Sequence, residues 1–76
     1  MKIKEMKVGA SARVVGYDTT DRMYRQKLLQ MGLVKRAEFT LVRIAPMGDP
    51  AEIRLNGFSL TLRKIEADAL NVELIV

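Results

Sequence analysis

The sequence predicts a mainly β fold: a small, partly open five-stranded barrel carrying one inserted helix. Three observations lead there. Five short stretches alternate apolar and polar residues with a period of two, turn-forming residues lie between most of them, and only Asp21 to Leu33 carries a helical apolar period. Strands this short bury most apolar surface by curling on themselves. At 76 residues there is room for one domain, 1–76, and a chain of this size buries only ~60% of the surface its unfolded form exposes.

Residues 1–9 set Ile3, Met6 and Val8 in a polar frame, and Gly9 supplies a turn. Ala10 to Tyr17 reads as the first strand, with Ala12, Val14 and Gly16 on one face and Arg13, Val15 and Tyr17 on the other. Gly16 inside it marks a bulge or a close backbone approach. Asp18, Thr19, Thr20 and Asp21 then offer side-chain oxygens to the free amides of a first helical turn, and Gly32 can take the left-handed conformation that ends a helix. The helix is predicted from about Arg22 to Met31. At 100° per residue Tyr24, Leu28 and Met31 face the core, leaving Arg22, Arg25, Gln26 and Leu29 outside.

After the connector Leu33-Val34-Lys35-Arg36, in which the apolar pair fixes the helix and the cations stay wet, Glu38 to Ala45 is predicted as a strand with Phe39 and Leu41 inward. Pro46-Met47-Gly48-Asp49-Pro50 must turn. Ala51 to Leu55 and Phe58 to Arg63 form a hairpin around Asn56-Gly57, the pair that suits a two-residue turn with two positive φ angles, and Phe58, Leu60 and Leu62 share one face. Ile65 to Leu70 suits a single helical turn closing one end of the sheet. The last strand, Asn71 to Val76, puts Val72, Leu74 and Val76 on one side. The strand count and the early helix favour an SH3-like barrel over an oligonucleotide-binding barrel, whose helix sits later.

Composition removes most catalytic and metal chemistry. The sequence has no cysteine and no histidine, so thiolate and imidazole ligands and the usual general base are missing. The nine acids are scattered, the serines and threonines lack an activating histidine, and a desolvated lysine nucleophile needs a pocket that a thin core hardly supplies. No catalytic residue, metal site or cofactor is predicted. The N-terminus lacks the apolar stretch of a secretory signal and no apolar run reaches the ~20 residues of a membrane span, which predicts a soluble, cytoplasmic domain. A net charge of +4 draws acidic partners.

Two blocks resemble the FeoA family, small cytosolic partners of a membrane ferrous iron transporter. Tyr24-Arg-Gln-Lys-Leu-Leu-Gln-Met-Gly-Leu33 is similar to that family's basic helix ending in Leu/Met-Gly-hydrophobic. Arg43-Ile-Ala-Pro-Met-Gly-Asp-Pro50, with Gly57, Ser59-Leu-Thr-Leu-Arg63 and Ala67, resembles its Ala-Pro-x-Gly-Asp-Pro turn and Leu-x-Leu-Arg strand. One departure is the connector, where Lys35-Arg36 stands in place of the usual Pro-Gly. The resemblance implies an SH3-like barrel and a non-catalytic accessory role. Such a protein would bind the cytosolic, GTPase-containing region of the transporter, recruited to the inner face of the membrane, and support or regulate Fe²⁺ uptake. No iron ligands carry over.

For a partner surface the sequence offers Arg22, Arg25, Gln26 and Leu29, an apolar residue ringed by arginines and an amide, with Lys35 and Arg36 at its edge. The bland alternative is a solvated helix face. The turn Pro46, Met47, Gly48, Asp49, Pro50 is a second candidate recognition element, although turn geometry alone accounts for its prolines and glycine. The runner-up function, a basic nucleic-acid-binding barrel, is disfavoured because Phe39 and Phe58 both sit on core-like alternations, leaving Tyr17 and Tyr24 as stacking platforms. A third reading, kinship with the C-terminal SH3-like part of metal-dependent repressors of the diphtheria-toxin-repressor type, describes ancestry, since no DNA-binding helices precede the domain. A homodimer through exposed strand edges or apolar outer faces is compatible with a small barrel.

Overall fold

The computed structural model describes residues 1–75, so the expected strand position Val76 lies outside the described residues. Strands β1 (Ser11–Tyr17), β2 (Glu38–Ile44), β3 (Ala51–Leu55), β4 (Phe58–Leu62) and β5 (Leu70–Leu74) form one antiparallel sheet in the order β4-β3-β2-β1-β5. Helix α1 (Arg22–Gln30) joins β1 to β2, helix α2 (Lys64–Asp68) joins β4 to β5, and a 3₁₀ turn, Ile3–Glu5, precedes β1.

The connection through α2 explains the curl of the sheet. β4 and β5 are its two edges, and four strand spacings of ~4.8 Å would hold the edges of a flat sheet ~19 Å apart. A five-residue helix rises only ~7.5 Å. The edges are therefore drawn toward one another, and α2 packs against β4, β5 and the 3₁₀ turn. This closes one end of the core, in agreement with the sequence. The inward set is Val14 of β1, Phe39 and Leu41 of β2, Ile53 and Leu55 of β3, Leu62 of β4 and Leu70 and Val72 of β5, joined by Ile3, Leu28 and Leu33.

Local signals placed most elements. Asn56 and Gly57 have φ of 52° and 83°, as the hairpin requires, and Leu55 pairs with Phe58 across them. The register of β1 against β5 shifts between Val14 and Gly16, the bulge that Gly16 announced. The extra residue rotates the end of β1, so Tyr17, expected on the outer face with Arg13 and Val15, packs against the core.

Several expectations are corrected. Phe58 shares a face with Leu62 but is 71% exposed. It stands at the mouth of the hairpin on an edge strand: its pair Leu55 lies against the Gly32 backbone, while nothing covers the strand beyond. Leu74 is likewise exposed at the end of β5, and Val34 points outward rather than fixing the helix. The second helix runs from Lys64 to Asp68, because Glu66 accepts the Arg63 amide at 2.9 Å and starts it early, while Leu70 already pairs with Tyr17.

Candidate functional site

The candidate surface is the outer face of α1, and the way this helix is anchored decides what it can present. At its start the Asp21 carboxylate accepts the Met23 amide at 2.9 Å. At its end Leu33 N–H donates to Leu28 O and Gly32 N–H to Leu29 O, both at 3.0 Å, with Gly32 at φ 95°. This is a Schellman stop, whose accompanying apolar contact is the fully buried pair Leu28 and Leu33. A side chain on Gly32 would meet Leu55 at 3.2 Å, so glycine serves both the backbone angle and the close approach to β3.

Three polar contacts lock the orientation of the helix. The Tyr17 hydroxyl donates to Leu33 O at 2.7 Å, and the Arg25 guanidinium lies 5.3 Å from the centre of the Tyr17 ring. Burial raises the Tyr17 pKa, against the opposing charge of Arg25. On the other flank Lys27 Nζ is 2.6 Å from Glu66 Oε2, and Glu66 is the one buried charged residue in the described chain. Burial acts to raise the Glu66 pKa, but contact with Lys27, the Arg63 amide and the nearby positive charges outweigh it and hold the group below its ordinary value of 4.5. Glu66 is therefore ionised near neutral pH, and α2 holds α1 by a charge.

With those contacts made, Arg22, Arg25, Gln26 and Leu29 are all exposed, Leu29 by 39%. Met23, absent from the surface expected from the sequence, is 80% exposed. It follows the capping aspartate and lies off the inward stripe of Tyr24 and Leu28, a signal legible from the helical period. Neither Arg22 nor Arg25 forms an ion pair among the described residues. The surface thus offers two guanidiniums, one amide and exposed aliphatic surface on a rigid mount, which suits an acidic partner with an apolar patch.

Of the residues expected on that face, Gln26 lines a concavity along α1, and Lys35 and Arg36 line a different one. They share it with Arg13, Val15, Glu38 and Glu73, whereas the concavity along α1 is lined by Asp21, Met23, Tyr24, Gln26, Lys27 and Gln30. The Pro46 to Pro50 turn is exposed over most of its length, with Met47 at 88%. Its Asp49 carboxylate accepts the Lys64 amide at 3.0 Å, satisfying a free N–H in the first turn of α2, and Gly48 at φ 80° permits the reversal. Much of this turn is accounted for by architecture. Among the described residues no three Asp, Glu, His or Cys side chains are grouped as metal ligands.

A family model described as the FeoA domain matches residues 1–74. The chain is 32% identical over 75 residues to the Fe(2+) transport protein A/Fe(2+) transporter FeoB fusion protein of Porphyromonas gingivalis, covering 99% of this chain and 9% of that protein. It spans less than a tenth of that relative's length. The solution structure of FeoA from Chlorobium tepidum matches with a TM-score of 0.88 at 37% identity, covering 100% of this chain and 71% of that one. FeoA from Stenotrophomonas maltophilia, solved in complex with zinc and described as a prokaryotic SH3 domain protein, matches with a TM-score of 0.80 at 25% identity over 96% of this chain and 89% of that one.

Proposed function

This chain belongs to the FeoA family, and from that premise we propose that it is a non-catalytic accessory domain of ferrous iron uptake. In this reading the outer face of α1 binds the cytosolic, GTPase-containing region of a membrane Fe²⁺ transporter. The observation that carries it is the P. gingivalis relative, which by its name joins a transport protein A and a FeoB transporter in a single chain. Covalent joining raises the effective concentration of one part near the other, which suits two parts that work in contact. The arrangement of α1 supports the choice of surface: the helix that carries Arg22 and Leu29 is fastened through Tyr17 and Glu66, and Arg25 is placed by its contact over Tyr17, so little backbone ordering remains for binding. No helix of the described chain is long and apolar enough to cross a membrane, and we place the domain at the cytosolic face through its partner.

The test is a titration of isotope-labelled protein with the soluble cytosolic region of the cognate transporter, followed by amide shifts. Shifts clustered on Arg22 to Leu29 are expected. Arg22→Glu should weaken binding by ~2 kcal/mol or more while leaving the fold intact, because an acid in the first turn favours the helix dipole. Arg25→Glu is less clean, since losing the contact over Tyr17 costs ~0.5–1 kcal/mol of stability. Unchanged binding in Arg22→Glu would remove this face from the reading. Phe58, exposed rather than buried, restores one platform to the nucleic-acid alternative, but sequence-tolerant binders stack successive bases on several aromatics. Salt-sensitive binding to single strands with no shifts from the transporter would favour that alternative.

A further inference from the structure

The turn after α1 combines a disfavoured backbone with two free cations. Ala37 N–H donates to Val34 O at 3.0 Å, making Val34 to Ala37 a β-turn, and Arg36 in its third position has φ 75°. A turn of this kind takes glycine there most readily, because a Cβ crowds the left-handed conformation. Arg36 is nevertheless held in place by its own amide, which donates to Val14 O at 2.7 Å. Strain of this sort persists where the surroundings over-determine it, and it gathers at functional positions.

The side chains point to what the position serves. Lys35 and Arg36 are exposed and form no ion pair among the described residues. The carboxylates nearby, Glu38 and Glu73, share the single guanidinium of Arg13 at 3.3 and 3.1 Å, so the three cations and two carboxylates that line the concavity leave it with a net positive charge carried by Lys35 and Arg36. Val34 before the cations is 47% exposed, and Val15, lining the same concavity, is 40% exposed. Among the described residues no aromatic side chain lines it, so there is no plane on which a base could stack. Unpaired cations flanked by exposed aliphatic side chains match the chemistry of a bilayer interface, where phosphates lie above the acyl boundary.

We propose that the Val34-Lys35-Arg36 turn is a contact point for an anionic lipid surface. Lys35 and Arg36 meet headgroup phosphates while Val34 and Val15 reach toward the acyl boundary. Each basic residue near such a surface strengthens binding about fivefold, so the pair adds about 30-fold to the partitioning of the chain onto an anionic membrane. This contact lies in a different concavity from α1 and goes beyond the proposed transporter contact.

The experiment is co-sedimentation of the full chain with vesicles containing phosphatidylglycerol and with vesicles of phosphatidylcholine alone. Binding to the anionic vesicles, weakened by salt, is expected. The K35Q/R36G variant should lower that partitioning by about 30-fold, and R36G alone should raise Tm by ~4 °C as glycine relaxes the turn, which shows that the loss is not unfolding. Arg22→Glu should keep vesicle binding within about fivefold. Equal binding to both vesicle types, no binding to the anionic ones, or unchanged partitioning in K35Q/R36G would overturn the proposal. So would tight binding to polyglutamate without vesicle binding, which would assign the cations to an acidic protein. No transporter is present in this assay, so its failure leaves the α1 reading standing, and failure of the α1 titration leaves this contact standing.

Discussion

Helices α1 and α2 each connect two strands, yet they stand in opposite relations to the core. α2 buries Glu66 and Ala67 out of five residues, whereas α1 buries only Leu28 out of nine. The short helix is a closing piece, drawn in because it must bridge the two sheet edges. The longer one is fastened at a few points, Leu28, Tyr17 and the Lys27–Glu66 pair, and turns the rest of its surface outward. The difference teaches that helix length here is unrelated to structural weight. A helix freed from packing over most of its circumference can carry residues chosen for contact.

Substitutions can break or sharpen that contrast. The largest effect should come from Leu28→Ala, which removes the helix's one fully buried side chain and should cost ~2–5 kcal/mol, out of a total of ~4–11 kcal/mol for a chain this long. Leu29→Ala beside it should change stability by no more than ~0.5 kcal/mol. Urea midpoints that fail to separate the two would mean α1 is not anchored as described.

Glu66→Gln should come next, at ~1–3 kcal/mol, toward the low end because Lys27 is half exposed. It also carries a pH signature. The folded pKa of Glu66 lies below its unfolded value, so the unfolded state binds more protons between the two, and the contribution is present above the ordinary value of 4.5 and lost as pH falls through the folded pKa. Melting curves for wild type and Glu66→Gln should therefore converge as the pH drops below 4.5; parallel curves would show that the Lys27 contact does not hold α1. A smaller effect than either Leu28→Ala or Glu66→Gln, ~1 kcal/mol, is expected for Asp21→Ala, which frees the Met23 amide. Circular dichroism should show a frayed α1 over an intact sheet.

Some of this is legible residue by residue. Asp21 and Gly32 bound α1, Asn56-Gly57 closes the hairpin and Gly16 announces the bulge, since each acts through the backbone of its immediate neighbours. Other features escape a reading of the sequence. Phe58 obeys the alternation of its strand and is still exposed, because alternation assigns a face without saying whether anything covers it. Glu66 reads as a polar position in a short helical turn, and only the approach of Lys27 from α1, distant in the chain, makes it the buried ionic tie. Lys35 and Arg36 follow α1 closely in sequence, and only the fold brings them to a concavity shared with Arg13 and Val15.

Periods of two and 3.6, caps and turn pairs were enough to specify the strands, the main helix and the barrel class, and composition alone shows that the sequence offers no thiolate or imidazole. Those features are local, or are counts, and need no knowledge of distant neighbours. Which apolar residues stay uncovered, which carboxylate is buried with a partner and which cations share a surface depended on how the sheet curls and where its edges meet. That is set by contacts between residues far apart in the chain, whose energies appear only once the strands are paired.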